Sequence, residues 1–154
     1  MIVSIGCDHA GPELKARIAQ HLEAQRHTML NRGTDGPESV DYPDHAHAVS
    51  EDVSSEQAEL GILICGSANG VAMTANKHSN VRAAIAWTPE IAELARQHNN
   101  ANILCIPARF VSEQTAIAMV DAFFSSQFEG GRHARRVSKI ACMALTLLVG
   151  MPFA

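Results

Sequence analysis

No CxxC pair joins any of the four cysteines, Cys7, Cys65, Cys105 and Cys142. Their wide separation suggests neither a zinc knuckle nor a redox dithiol, and reduced thiols fit a cytoplasmic protein best. Positive charge is not in excess either. A net charge of -4 at pH 7 with 18% charged residues argues against nucleic acid as a partner. The first residues, MIVSIGCDHAG, lack the basic and long apolar stretches of an export signal, so the cytoplasm is the expected compartment. The uncharged run from Ile140 to Ala154 is shorter than a membrane span and is broken by Gly150 and Pro152. It predicts a packed or partner-facing helix and tail. Internal repeats and low-complexity segments are absent from the sequence.

What the chain does contain is apolar: 47% of its 154 residues are hydrophobic, enough for one domain, 1–154, with a substantial core. Short apolar runs at Ile2 to Cys7, His27 to Asn31, Gly61 to Cys65, Val81 to Trp87 and Asn102 to Pro107 predict five strands. Between the first two, Pro12 starts a helical pattern in which Leu14, Ile18 and Leu22 share one face. Further helices are predicted near Pro43 to Ser54, Val71 to His78, Thr88 to His98 and Ser112 to Ser126, and a last one from about Arg132 after the Gly130-Gly131 break. Arg32 to Asp41, rich in Gly, Pro, Ser and Asp, reads as a surface connection. Strands alternating with helices imply a parallel sheet covered on both faces, an α/β doubly wound fold.

Ligands of such sheets bind beyond the carboxyl ends of the strands. Three polar clusters are expected there: Cys7 to Gly11, Cys65 to Gly70, and Arg96 to Asn100 just before the fifth strand. The loop Gly66 to Gly70 has the composition of an amide cradle for an anion, with a helix N-terminus behind it. It is not a P-loop, since Val71 follows Gly70, and it lacks GxGxxG spacing. Nor is it a phosphatase loop, since no arginine occurs between Cys65 and Arg82. A thiol at this position is expected to have a lowered pKa and to serve as nucleophile or general base; the alternative is a small buried hydrophobe. In Arg132-His133-Ala134-Arg135-Arg136, Arg132 and Arg136 share a face. Cations in a first helical turn oppose its dipole unless an anion is bound, which argues for a phosphate, the alternative being a solvated basic face or ion pairs with a partner chain. His45 and His47 point to different faces and make no metal site. His21, His27 and His78 read as surface or satisfied histidines, and Met143, Leu145, Leu147 and Leu148 as core or interface.

With GCDHAG (Gly6 to Gly11), DYPD (Asp41 to Asp44), GILICGSANG (Gly61 to Gly70), ANK (Ala75 to Lys77), RQHNN (Arg96 to Asn100) and EGGRHARRV (Glu129 to Val137), the sequence resembles the type B ribose-5-phosphate isomerases. That sugar-phosphate isomerase family also includes the galactose-6-phosphate isomerase subunits. The resemblance covers nearly the whole chain. It implies a Rossmann-like three-layer sandwich with a five-stranded parallel sheet and an extra C-terminal helix. It also implies a homodimer or tetramer with active sites shared between chains, and interconversion of an aldose and a ketose phosphate without metal or other cofactor. On the matching positions Cys65 would move a proton between C1 and C2. The amides of Gly66, Ala68, Asn69 and Gly70 would hold the enediolate, and Ser67 would assist at the sugar oxygens. His98, with Asp8, would open the furanose ring, and Asn99 would orient substrate. His9, Arg132 and Arg136 would hold the phosphate, with Arg109 a further candidate.

Many relatives read CGTGxG where this chain has Ser67 and Ala68. Another branch replaces the cysteine with a glutamate just after the glycine loop, where this chain has Val71. Ribose 5-phosphate and ribulose 5-phosphate are the expected pair. A six-carbon sugar phosphate such as allose 6-phosphate or galactose 6-phosphate is the alternative, and a non-catalytic sugar-phosphate binding module a further one.

Overall fold

The structure is a computed structural model and describes residues 1–142. Met143, Leu145, Leu147 and Leu148, with most of the apolar tail, lie outside the described residues. Five strands and six helices alternate: β1 (Ile2–Cys7), α1 (Pro12–Ala24), β2 (Thr28–Asn31), α2 (Tyr42–Ser54), β3 (Leu60–Cys65), α3 (Asn69–Ala75), β4 (Ala83–Ile85), α4 (Pro89–Asn99), β5 (Ile103–Pro107), α5 (Glu113–Ser125) and α6 (Arg132–Val137). All ladders are parallel, in the order β2-β1-β3-β5-β4. The central strands β3 and β5 are buried along their whole length, as strands covered on both faces must be.

Alternate side chains divide the core in two. Val3, Ile5, Ile62, Ile64, Leu104 and Ile106 pack under α1, α4 and α5, which contribute Ile18, Leu22, Ala95, Met119 and Phe123. Leu63, Cys65, Ile103 and Cys105 face α2 and α3, with Val49, Val53, Val71 and Ala75. Burying an aliphatic side chain stabilises the fold by about 1.5–3 kcal/mol, so these two layers set the sandwich. One buried polar knot crosses the second layer: Asp52 accepts from Ser4 Oγ at 2.6 Å and from Arg32 Nε and Nη2 at 2.6 and 2.8 Å. It anchors the start of the Arg32 to Asp41 loop.

Two boundaries differ from the sequence pattern. The fourth strand is only Ala83–Ile85, because it is an edge strand paired on one side, and the Val81 N–H bonds to His78 O within a turn. The third helix starts at Asn69 and stops before Asn76. The Asn76 side chain leaves the helix path to bond both backbone groups of Ala83, at 2.9 Å each.

Candidate active site

β1 and β3 are neighbours whose onward connections leave for opposite faces, α1 to one and α3 to the other. A crevice opens where the chain parts in this way. Asp8 and His9 follow β1, and Cys65 ends β3. The Cys65 thiol donates to Asp8 Oδ2 at 2.9 Å, and both residues are buried, 8% and 6% exposed. Asp8 is held in turn: its Oδ1 accepts from Ala10 N at 2.9 Å and its own N–H bonds to Ile64 O. Gly11 keeps this turn tight, since a Cβ there would lie 2.7 Å from Ile64 Cγ2.

The thiol does not behave as its position on the chain suggested. Burial, and then the hydrogen bond and charge of Asp8, push Cys65 up to about 11, against a smaller downward pull from the Ala68 and Gly66 amides. The expectation of a lowered pKa is therefore corrected. The seven-residue α3 offers a weak dipole, whereas a carboxylate lies in direct contact.

After Cys65 the backbone turns through Ala68, whose φ of +62° lies in the left-handed region and which is fully buried. An L side chain there costs about 1–2 kcal/mol, which accounts for the glycine that the resemblance would have placed at this position. Ser67 and Asn69 are exposed, and Ser67 Oγ accepts from Asn69 Nδ2 at 3.3 Å. The Arg109 side chain lies over Gly66, where an added Cβ would sit 3.3 Å from Nη1, and the backbone N–H of Arg109 bonds to Gly66 O. On the far side of the loop the Tyr42 ring lies against Gly70, with an added Cβ only 2.5 Å from its Cε2 and Cζ. Tyr42 was not among the residues read from the sequence as site residues, although it sits in the DYPD segment. His9 is half-buried beside Asp8, and its Nδ1 is a buried atom with no hydrogen-bond partner among the described residues.

His98, Asn99, Arg132 and Arg136 lie elsewhere. α4 runs antiparallel to the strands, so Arg96 to Asn100 sits at their amino ends and not, as the sequence reading had it, at their carboxyl ends. Arg82 Nε and Arg96 Nη1 bond the carbonyls of Asn100 and Ala101, and Asn102 O accepts from Gly61 N at the start of β3. Five residues of β5 at about 3.3 Å each place His98 and Cys65 of one protomer roughly 15 Å apart or more. One chain thus brings Asp8, His9, Cys65 to Gly70 and Arg109 to one end of the sheet, and His98, Asn99, Arg132 and Arg136 to the other.

The second cluster has its own order. The His98 ring stacks on His133 with centroids 4.2 Å apart and planes 8° from parallel. Glu129 Oε2 lies 3.8 Å from His98 Nε2 and 3.6 Å from His133 Nε2. The Glu129 N–H bonds to Gln97 O, which ties the Gly130-Gly131 segment to α4. Burial, followed by His98 and Arg132, lowers the pKa of His133, while Glu129 opposes the shift. Arg132 and Arg136 are exposed and form no salt bridge among the described residues. His98, Glu129 and His133 are the one trio among the described residues whose potential ligand atoms all lie within 4.8 Å. Their geometry disfavours a metal: in-plane lone pairs of parallel stacked rings cannot meet at one ion.

Comparison with known proteins decides the family. The model of the ribose/galactose isomerase family matches residues 3–140. The chain belongs to the ribose/galactose isomerase family. Within it, the chain is 44% identical over 139 residues to the probable ribose-5-phosphate isomerase B of Mycoplasma pneumoniae, covering 90% of this chain and 91% of that one. It is 39% identical over 141 residues to ribose-5-phosphate isomerase B of Escherichia coli, covering 92% and 95%. A crystal structure of ribose-5-phosphate isomerase B from Mycoplasma genitalium with bound ribulose 5-phosphate superposes with a TM-score of 0.88 at 43% identity, covering 90% and 93%. The five-stranded parallel sandwich is the fold of this family, and no described helix is long and apolar enough to cross a membrane.

Proposed function

We propose that the protein interconverts ribose 5-phosphate and ribulose 5-phosphate in the cytoplasm, as one domain spanning 1–154, at sites completed by a second copy of the chain. The buried Cys65–Asp8 pair at the mouth of the Gly66 to Gly70 amide loop carries this reading. Family membership and the relative with bound ribulose 5-phosphate support the substrate.

The ring opens first. His98 of the second copy gives a proton to ring oxygen O4 as the C1–O4 bond breaks, and the O1 hydroxyl releases its proton to water as C1=O forms. Isomerisation follows on the open chain. With its pKa raised to about 11, free Cys65 thiolate is scarce at neutral pH, but the Asp8 carboxylate is a local acceptor 2.9 Å away. Moving the thiol proton to Oδ2 leaves a thiolate that removes the C2 proton. The enediolate rests on the amides of Gly66, Ala68, Asn69 and Gly70, where a single donor is worth about 3 kcal/mol. A proton moves from O2 to O1 with the help of Ser67, and Cys65 returns its proton to C1. Arg109 and His9 from one copy, with Arg132 and Arg136 from the other, hold the phosphate, and Asn99 orients the chain.

The test is ribose 5-phosphate turnover by wild type and by Cys65→Ala, with folding checked. A general base contributes about 10²–10⁴-fold, so the variant should lose at least 100-fold in kcat while still binding substrate. A wild-type protein inactive on both pentose phosphates sinks the proposal, and an active Cys65→Ala moves the base elsewhere.

A further inference from the structure

His98 is not a free-standing side chain. Its ring lies flat on a second imidazole, that of buried His133, and one carboxylate faces both Nε2 atoms. At 3.6 and 3.8 Å from the rings, Glu129 acts by charge and not through a direct hydrogen bond. Among the described residues neither ring has a hydrogen-bonded neighbour that would fix its tilt, so the stack and the shared carboxylate do so. The surroundings otherwise oppose a proton here: Arg132 and Arg136 bring positive charge to the same face. Among the described residues Glu129 is the one acidic group paired with these two rings.

Resting on the ring-opening role proposed above for His98, we infer that Glu129 and His133 are positioning residues for that step. His133 sets the plane of the His98 ring, and the Glu129 carboxylate facing its Nε2 steadies the charge that passes through the ring as a proton is delivered to O4. The unit belongs to ring opening alone, because the enediolate chemistry lies with Cys65 and the amide loop at the other end of the sheet.

The substrate pair offers a readout that separates the two steps. Ribose 5-phosphate is mainly a furanose and must be opened. Ribulose 5-phosphate has its O5 esterified, cannot close a furanose through it, and reaches the enzyme as an open chain. Glu129→Gln keeps size and shape at a half-exposed position and removes only the charge. It should cut kcat from ribose 5-phosphate by about tenfold or more, change the initial rate from ribulose 5-phosphate by less than about twofold, and leave both KM values within about twofold. Glu129→Asp should recover part of the loss, and His133→Ala, which removes the stacking ring, should show the same directional split. His98→Asn is run beside them. If it slows only the ribose direction and Glu129→Gln matches wild type, this inference alone is overturned. If Glu129→Gln slows both directions equally or raises both KM values, Glu129 acts on the phosphate or the fold, and the inference is again overturned. If His98→Asn loses nothing, the ring-opening role fails, and the inference with it.

Discussion

At the carboxyl ends of the strands, the sheet of one protomer presents a thiol, a carboxylate and a run of backbone amides, with the Arg109 side chain over Gly66. At the opposite end it presents two stacked imidazoles and the arginines Arg132 and Arg136, with no amide loop of this kind among the described residues. Each end carries what the other lacks for moving protons on a phosphorylated sugar. On the proposed function, these two polar clusters, roughly 15 Å or more apart in one chain, would form one site once a second copy reversed the order of the ends. The comparison also explains the chemistry of each half. Burial and Asp8 raise the pKa of the carboxyl-end thiol, whereas burial and neighbouring positive groups lower that of His133.

The largest effect that separates the halves is on stability against pH. Cys7 and Cys65 are each pushed up to about 11, and Cys105 is raised further in the same direction, chiefly by burial. Unfolded thiols ionise near 9. Between pH 9 and 11 the unfolded chain therefore releases protons that the folded chain keeps, and stability falls as pH rises, by about 1.4 kcal/mol per pH unit for each thiol. Urea unfolding at pH 8 and pH 10 should show a loss of a few kcal/mol, smaller in Cys65→Ala. His133 at the other end acts with the opposite sign: its lowered pKa removes stability as pH falls below the ordinary histidine range. A flat profile from pH 8 to 10.5 would contradict the buried, protonated thiols.

A smaller effect isolates the amide loop. Gly70→Ala brings a methyl into the Tyr42 ring, which is 39% exposed and can swing away. Overpacking of this kind costs about 1–3 kcal/mol where nothing yields, so stability should drop by less than that while isomerisation falls about tenfold in both directions. Tyr42→Ala in the same chain should recover most of the turnover. A double variant no better than the single would show that the ring does not shape the loop.

The sandwich and the Cys65 loop were legible because their signals are local: apolar runs, the Leu14, Ile18 and Leu22 spacing, and Gly66 to Gly70 directly after a strand. What escaped depends on distance along the chain. Burial raises the Cys65 pKa first and Asp8, 57 residues away along the chain, adds to it, and local reading weighs both causes too little. Arg96 to Asn100 immediately precedes a strand, and its placement at the carboxyl ends failed because a crossover helix returns the chain to the amino ends. Tyr42 and Glu129 sat inside recognised motifs, but their roles arise from contacts with Gly70 and His98 that no spacing rule encodes. Ala68 is intelligible only once its positive φ is known.

The division of the site between two protomers is tested most directly by mixing Cys65→Ala with His98→Asn after each has been dissociated and allowed to reassemble. Each variant alone should be nearly inactive on ribose 5-phosphate. In a mixed dimer one site combines both substitutions and the other combines intact Cys65 with intact His98, so random reassembly should restore about a quarter of wild-type activity. No recovery, with mixed dimers shown to have formed, would place Cys65 and His98 of one chain in the same site and contradict the account.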